Sequence, residues 1–282
     1  MRILSTTKDG NIVHIKKQFF MTHKYGWIKD AHDSRDIKYS AEQLLPIKTV
    51  YLNPDSGYKV PPVWDQGQLG ACTAFGWSFA VMFDLMNKHD QSTMEVGYSP
   101  SQLFIYYWER SIEGTISQDS GAQIRDGAKA LNTYGVCNET ELPYVISDFI
   151  TPPSSAAIAD AINYKALIYT SLDNTNKQLL VDALQRGFPI VFGFTVYESF
   201  ETETVNETSV VPYPDVNTEQ VLGGHCCAIV GYHEGIEDDD TFICRNSWGP
   251  DWGSHGGYFR MPTRYLTDPS LASDFWILTM VQ

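Results

Sequence analysis

Three side chains that are far apart in the chain could together perform nucleophilic catalysis. Cys72 ends the stretch DQGQLGAC, His225 lies in LGGHCCAIVGY, and Asn246 lies in CRNSWGPDWG. A thiolate is the reactive form of cysteine, and an imidazolium beside it favours that form and can protonate a leaving amine. An amide can hold the imidazole ring without adding a second negative charge near the thiolate. This combination indicates acyl transfer through a cysteine nucleophile.

The residues around Cys72 predict that it lies at the start of a helix. Apolar residues recur at three- and four-residue spacing from Cys72 to about Asn87. The N–H groups at a helix N-terminus carry partial positive charge, which favours a thiolate there. Gln66 lies six residues earlier. Its side-chain N–H, with the backbone N–H of Cys72, could hold the oxyanion of a tetrahedral intermediate.

A strand and a hairpin are needed to bring the other two side chains together. Gly223 and Gly224 precede His225, which opens an apolar strand, and their lack of side chains would let a substrate backbone come close. If this strand forms a hairpin with TFICR across HEGIEDDD, Asn246 returns near His225. Trp248 would then screen the hydrogen bond between them from water, where it is stronger.

Taken one at a time, these residues also have plain structural interpretations. A free cysteine such as Cys72 is usually a small buried apolar residue, and an asparagine before SWG is ordinary turn chemistry. The joint arrangement favours catalysis. The other cysteines on strand-like runs, Cys226, Cys227 and Cys244, are interpreted as strand packing. Neighbouring strand residues point to opposite faces, so HCC is not a metal site. No metal and no cofactor are predicted.

The order of elements predicts an α+β protein with two lobes and a cleft between them. After the first helix, a second is predicted with Ser99 as N-cap and Pro100 as its first residue. A third ends at Gly135, and two more follow in SSAAIADAIN and NKQLLVDALQRG. Beyond Pro189, five short β-type runs are bounded by Gly, Pro and Asp. The acidic stretch 198–220 is predicted to be a surface loop.

Composition and charge narrow the classes of function. The chain has 282 residues, 43% of them hydrophobic, and a net charge of −14, which argues against a nucleic-acid partner. No run is apolar enough for a membrane span and no signal peptide is recognised. Five cysteines without a disulfide-like spacing fit a reducing compartment, so an intracellular, cytoplasmic location is expected.

Charge is distributed unevenly along the chain. Residues 1–29 contain six Lys or Arg against one Asp, whereas residues 187–244 contain eleven carboxylates and no Lys or Arg. The plain interpretation is two solvated surfaces. The alternative is that the basic N-terminal arm docks on the acidic body.

These motifs resemble the papain family of cysteine peptidases. The resemblance rests on QGQLGAC, GGHCCAIVGY and RNSWGPDWGSHGGYF in this order, and it covers about residues 60–280. It implies a papain-like fold and peptide hydrolysis through an acyl-enzyme. Cys72 would be the nucleophile, His225 the acid and base, Asn246 the residue that orients the ring, and Gln66 the oxyanion donor. The implied peptidase domain is 61–282, with a helical lobe at about 72–188 and a β-rich, barrel-like lobe at about 189–282.

The resemblance also implies where a peptide substrate would bind. Gly121 and Ala122, in DSGAQI, would supply the edge that pairs with substrate backbone, although Ala122 stands where a Gly is usual. Ile124 and Gly224 would line the pocket for the second residue before the scissile bond. Trp248 would lie on the leaving-group side.

Departures from the usual family pattern point to one branch of it. Thr73 stands where a Trp is usual, and Leu69 and Asp119 replace the two cysteines of a usual disulfide. The sequence looks closer to the bacterial, xylellain-like branch, and YGWIKDAHDSRD resembles a stretch upstream of the catalytic region there. Residues 1–60 are therefore expected to be an N-terminal segment, of which 1 to about 29 cover the active site as an intramolecular inhibitor.

Three functions follow from the sequence. The first is a papain-like cysteine endopeptidase acting on peptide or protein substrates and made as a self-inhibited zymogen. The second is a catalytically inactive homologue that only binds peptides, which would be expected to have lost Cys72, His225 or Asn246. The third is an acyltransferase that uses the same three residues.

Overall fold

The computed structural model describes residues 4–6, 12–14, 24–87, 95–235 and 240–281, with 4–6, 12–14 and 280–281 described by their backbone alone. Within these ranges, seven α-helices are found: α1 Cys72–Asn87, α2 Gln102–Glu113, α3 Ile124–Thr133, α4 Ser155–Ala161, α5 Lys177–Gln185, α6 Glu203–Thr208 and α7 Thr263–Leu266. Short 3-10 helices cover Pro54–Ser56, Ile146–Asp148 and Glu198–Glu201.

The strands of the described residues are β1 Leu4–Thr6, β2 Ile12–His14, β3 Trp27–Ile28, β4 Val50–Tyr51, β5 Ala122–Gln123, β6 Ala166–Leu172, β7 Ile190–Tyr197, β8 Val221–His233, β9 Thr241–Arg245, β10 Tyr258–Pro262 and β11 Ala272–Val281. The main sheet is antiparallel in the order β10-β9-β8-β7-β11-β6, and β4 also pairs with β8. β3 and β5 form a separate parallel pair. Helices before a large antiparallel sheet confirm the predicted α+β class.

The five strands predicted after Pro189 are β7 to β11, so that part of the prediction is confirmed. β6 was not predicted. It lies between α4 and α5 and pairs with β11 at the far end of the chain, with Phe275 opposite Leu172. A pairing across so many residues leaves little trace in the local pattern of β6, where exposed and buried residues do not alternate.

Helix boundaries were predicted well except for the start of α2. The predicted N-cap Ser99 and first residue Pro100 are wrong by two residues. The cap is Ser101, whose Oγ accepts a hydrogen bond from Phe104 N at 3.2 Å. Pro100 instead forms a β-bridge with Asn138. The acidic stretch 198–220 is also not loop throughout, because the 3-10 helix and α6 occupy its first half.

α1 is the central helix of the fold. Thirteen of its sixteen residues are buried, which explains why it is apolar on nearly every side. It packs against β8, where Gly76 lies so close that an added Cβ would be 3.0 Å from Val191 and 3.2 Å from the sulfur of Cys226. Cys226 and Cys227 belong to different apolar clusters, on the two faces of β8, as their interpretation as packing residues requires.

The cysteines and the helices bear on disulfide formation and on membrane insertion. All five cysteines lie in the described residues, and all are buried and unpaired by disulfides. None of the helices in the described residues has the length and apolarity that a membrane span demands.

Gly135 is expected to be the most sensitive of the glycines that end helices. Gly114 and Gly135 follow α2 and α3 with φ of +73° and +78°, but only Gly135 is crowded, since a Cβ there would be 1.9 Å from Ala161 O. Gly114→Ala should lower the free energy of unfolding by about 1 kcal/mol for the left-handed backbone. Gly135→Ala should cost a further ~1–3 kcal/mol for the overlap. Urea unfolding of both variants checks this, and equal losses would contradict it.

Candidate active site

Cys72 is the first residue of α1 and is completely buried. The backbone amides of Cys226 and Gly26 lie close enough to its thiol to favour the thiolate and lower the pKa. Because Cys226 follows His225 on β8, the helix start and this strand bring the sulfur next to the part of the sheet that carries the imidazole. Gly26 belongs to a different part of the chain, the segment that leads into the domain.

His225 is held from one side by Asn246. Its Nε2 lies 2.8 Å from Oδ1 of Asn246, and both residues are buried. The same Oδ1 accepts the backbone N–H of Ser247 at 2.9 Å, so it is an acceptor and Nε2 of His225 carries the hydrogen. Trp248 stacks on the imidazole with ring centroids 4.8 Å apart and planes 26° apart, and it covers the pair as predicted.

The β8–β9 hairpin positions Asn246 as predicted. Ala228 pairs with Arg245, so the residue after β9 returns beside the part of β8 that carries His225. The backbone N–H of Asn246 then donates to Gly257 O at 2.9 Å, which fixes the turn. Part of the connecting sequence, 236–239, lies outside the described residues.

Gln66 is buried beside the same site. Its Nε2 donates to the carbonyl oxygens of Lys24 at 2.8 Å and Leu69 at 2.9 Å. Its Oε1 accepts the hydroxyl of Ser247 at 2.6 Å, which fixes the direction of the amide. Sequence analysis did not identify this role of Ser247. Its position next to Asn246 was the only signal that could have indicated it.

Residues 24–30, here named the cleft segment, run across this site. β3 within it pairs in parallel with β5, and Ala122 N donates to Gly26 O at 2.8 Å. The backbone contacts are close on both sides: a Cβ on Gly26 would lie 1.8 Å from Gly70 O, and one on Gly121 would lie 2.1 Å from Gly26 O. Of the predicted inhibitory segment, residues 1–23 lie outside the residues whose side chains are described.

The residues predicted to bind substrate contact this segment. Gly121 and Ala122 meet its backbone, and the methyl group of Ala122 does not prevent the pairing. A Cβ on Gly224 would lie 2.5 Å from Trp27 O, and Trp248 lies 6.1 Å from the Tyr25 ring. Ile124 is buried in the apolar cluster against which Trp27 packs.

Two carboxylates that sequence reasoning did not single out receive the side chains of the segment. The hydroxyl of Tyr25 donates to Oε1 of Glu201. The indole Nε1 of Trp27 donates to Oδ2 of Asp274 at 3.0 Å. Nothing local in the sequence marks Asp274, which lies 49 residues after His225 and has a left-handed backbone with φ of +60°.

Asp274 also meets a second carboxyl group from the segment. Its Oδ2 accepts the backbone N–H of Asp30 at 2.8 Å, and the Asp30 side chain accepts Trp276 Nε1 at 2.8 Å and Arg125 N at 3.1 Å. Burial and the neighbouring Asp274 raise the pKa of Asp30 to about 7. Burial also raises the pKa of Asp274, although the N–H groups of Asp30 and Trp27 oppose this shift.

The thiol of Cys72 is not poised as a thiolate in this arrangement. Burial raises its pKa to about 12, although the amides of Cys226 and Gly26 oppose the shift. The sequence predicted that the helix N-terminus would favour the thiolate. Desolvation of the buried sulfur outweighs that effect, because a buried charge loses more hydration energy than a partial dipole returns.

Two residues that depart from the usual family pattern, Thr73 and Asp119, form hydrogen bonds near the site. The hydroxyl of Thr73 donates to the completely buried Glu109 at 2.8 Å, and burial raises the pKa of this carboxyl well above its usual range. Asp119, at a usual disulfide position, accepts the backbone N–H of Gly70 at 3.0 Å and the hydroxyl of Tyr106 at 2.6 Å. A carboxylate therefore joins the two stretches that a disulfide would otherwise join.

Residues 51–273 match the sequence model of the family described as papain family cysteine protease. The chain belongs to this family. Its relatives include an uncharacterised peptidase C1-like protein of Acanthamoeba polyphaga mimivirus, 39% identical over 93% of this chain and 88% of that protein.

Solved structures of the papain family agree with this assignment. Xylellain, a cysteine protease from Xylella fastidiosa, is 36% identical with a TM-score of 0.80, covering 92% of this chain and 96% of that chain. A digestive procathepsin L 3 of Tenebrio molitor larval midgut is 19% identical with a TM-score of 0.64, covering 85% of this chain and 73% of that chain, and it shows the fold. The predicted papain-like fold and the likeness to the xylellain-like branch are both confirmed.

The burial of Cys72 by the cleft segment predicts slow alkylation. With a pKa of about 12, the thiolate fraction at pH 7 is roughly 10⁻⁵ and rises tenfold per pH unit. Gly26→Ala cannot fit against Gly70, so it should displace the segment and speed the reaction of Cys72 with iodoacetamide at least ~10-fold. Ile28→Ala, whose side chain is 41% exposed on the same segment, should leave the rate unchanged.

Mass spectrometry of the Cys72 peptide over time, between pH 7 and 9, measures this rate. Equal rates for the wild type and Gly26→Ala, with Gly26→Ala still folded by circular dichroism, would rule out the covering role of the segment.

Proposed function

We propose that this papain-family chain is a cysteine endopeptidase that cleaves peptide bonds through a thioester acyl-enzyme, and that its own N-terminal segment holds it inactive. The observation that carries the proposal is the 2.8 Å contact of His225 Nε2 with Asn246 Oδ1, one residue from the amide that faces the Cys72 thiol. The site residues proposed are Cys72 as nucleophile, His225, Asn246 and Gln66.

The hydrogen bond between His225 and Asn246 indicates which ring nitrogen transfers the proton in the proposed hydrolysis. Because Nε2 of His225 is tied to Asn246, the proton of the thiol passes to Nδ1 on the other side of the ring. The thiolate attacks the carbonyl carbon of the scissile bond, and the resulting oxyanion takes hydrogen bonds from Gln66 Nε2 and the backbone N–H of Cys72. The imidazolium protonates the leaving amine. His225 then takes a proton from water, which attacks the thioester and releases the acid and the thiol.

Contacts of the cleft segment support inhibition. Lys24 O occupies the amide of Gln66, which a substrate carbonyl would need. The Gly26 amide of the segment lies beside the thiol, in the space that a substrate would need. Lys24 also forms an ion pair with Asp119 at 2.5 Å, which ties the segment to the body of the protein. Asp119 lies outside the acidic stretch 187–244, so the predicted docking of the basic arm on that stretch stays a prediction.

The domain division and the cellular location stay proposals. We place the peptidase unit at 61–282 and the N-terminal segment at 1–60, whose last part is docked on the body because Val50 and Tyr51 pair with β8. Five buried cysteines without disulfides favour a reducing, intracellular compartment.

The first test uses the full chain with Gly26→Ala to open the cleft. This variant should hydrolyse a casein or fluorogenic peptide substrate, the wild type should be much slower, and Gly26→Ala with Cys72→Ala should be inactive. A thiol-directed epoxide should modify one cysteine, Cys72, and no cysteine in the double variant.

Two other outcomes would favour the alternative functions. If an amine added to the reaction accepts most of the acyl group in place of water, the chain is better described as an acyltransferase. Peptide binding without turnover or labelling would favour the inactive homologue.

The oxyanion role of Gln66 can be tested separately. In the opened chain, Gln66→Ala should lower kcat by about 10²–10³ with a smaller change in KM, because it removes a donor needed in the transition state. Alkylation of Cys72 by iodoacetamide involves no oxyanion and should keep its rate. A parallel fall in both rates would mean that Gln66 acts only on the thiol or on the fold.

A further inference from the structure

The residue that follows the nucleophile is tied to a buried acid on the next helix. Thr73 and Glu109 are both completely buried, and Oγ1 of Thr73 donates to Oε2 of Glu109 at 2.8 Å. Oε1 of Glu109 has no hydrogen-bond partner among the described residues. In that part of the chain, the Thr73 hydroxyl is thus the only donor to this carboxyl group, and one hydrogen bond joins the start of α1 to α2.

Glu109 lies at a point where three helices pack closely. A Cβ added to Gly127, on α3, would lie 2.4 Å from Oε1 of Glu109 and 2.3 Å from the Trp77 ring on α1. The indole Nε1 of Trp77 donates to Ile124 O at 2.8 Å, which joins α1 to the first residue of α3. The carboxyl group therefore has a fixed position, because close-packed neighbours leave it little room to move.

The position of Thr73 affects the sulfur of Cys72, since the two residues share the start of α1. Burial raises the pKa of Cys72 to about 12, and the backbone amide of Thr73 is among the groups that oppose this rise. In the proposed mechanism, the backbone N–H of Cys72 also meets the oxyanion. These two amides belong to adjacent planar peptide groups, so a bond that fixes the Thr73 side chain helps to fix the direction of both.

Burial also decides the charge of Glu109. It raises the pKa of this carboxyl group well above its usual range, so the neutral form is favoured. The charged side chains that act on it are Glu113 and Asp126, which add to the rise, and Arg110, which opposes it. A carboxylate at Glu109 would raise the pKa of Cys72 further, because a negative charge opposes a thiolate nearby. A neutral acid accepts the Thr73 hydroxyl without this effect.

We propose that Glu109 is a positioning residue for the nucleophile: through the Thr73 hydroxyl, it holds the start of α1 so that the amides of Cys72 and Thr73 face the reacting atoms. This rests on the proposed peptidase function and adds a residue to it. Glu109 acts through Thr73, which stands where the family usually has a Trp. A Trp side chain has no hydroxyl, so the arrangement depends on this departure from the family pattern.

The first experiment measures alkylation of Cys72 by iodoacetamide in the full chain opened by Gly26→Ala, the parent here. Thr73→Val keeps the branched shape but removes the hydroxyl, and its pH–rate profile should move up by about one pH unit, a tenfold lower rate at pH 8. Thr73→Ser and Glu109→Gln keep the donor and the accepting oxygen and should stay within about twofold of the parent. Ser78→Ala is the matched control, because it removes another buried α1 hydroxyl that has no hydrogen-bond partner among the described residues.

A double variant separates positioning from stability. Thr73→Val alone leaves a buried carboxyl group without a donor and should lower the free energy of unfolding in urea. Adding Glu109→Met removes that group and should restore most of the loss. The alkylation rate and kcat for a fluorogenic peptide should nevertheless stay about tenfold low in the double variant, with KM within about twofold of the parent. Recovery of these rates together with stability would overturn the positioning role.

The positioning role and the peptidase function can fail separately, because alkylation requires no hydrolysis. A shifted pH–rate profile in Thr73→Val, with no hydrolysis by the parent, overturns the peptidase function and supports the positioning role. Hydrolysis by Thr73→Val at the parental kcat, with an unshifted profile, overturns the positioning role alone. Trp27→Ala, which removes the indole that lies over Gly193, opens the cleft if Gly26→Ala does not fold.

Discussion

The close approach of α1 to β8 is the constraint on which the site depends. Gly76 allows this approach, since even a Cβ there would lie only 3.0 Å from Val191 and 3.2 Å from Cys226, and both neighbours would have to shift. It sets the start of the helix, and therefore Cys72, against the strand that carries His225. The hydrogen bond of His225 to Asn246 then depends on the register of β8 with β9, in which a slip by one residue would turn His225 to the other face.

The same strand edge and loops that form the site also form a channel for extended backbone. Gly121 and Gly224 leave room for main chain where side chains would overlap the cleft segment. The segment uses this room. Burial of Cys72 raises the pKa of its thiol to about 12, so the sulfur is not ionised in this arrangement.

Carboxyl groups take several structural roles around this site. The buried Glu109 receives the hydroxyl of the residue after the nucleophile, and the half-buried Asp119 joins two stretches near it through hydrogen bonds. Glu201 and Asp274, which are also half-buried, meet the segment's donors instead. A carboxyl group shielded from water is stabilised by donors, so the donors of the first pair stabilise the fold while those of the second pair come from the segment in the cleft.

The sequence by itself determined the strongly local and strongly patterned features. The limits of α1, the five strands from β7 to β11, and the motifs around Cys72, His225 and Asn246 were readable because apolar periodicity and short motifs are local signals. Ser247, Glu201 and Asp274 were not readable in this way, nor was the pairing of β6 with β11. Their roles come from contacts between residues far apart in the chain, and only tertiary folding determines those contacts. The protonation state of the thiol was decided in the same way, because desolvation depends on how the whole fold packs around Cys72 and not on the residues beside it in the chain.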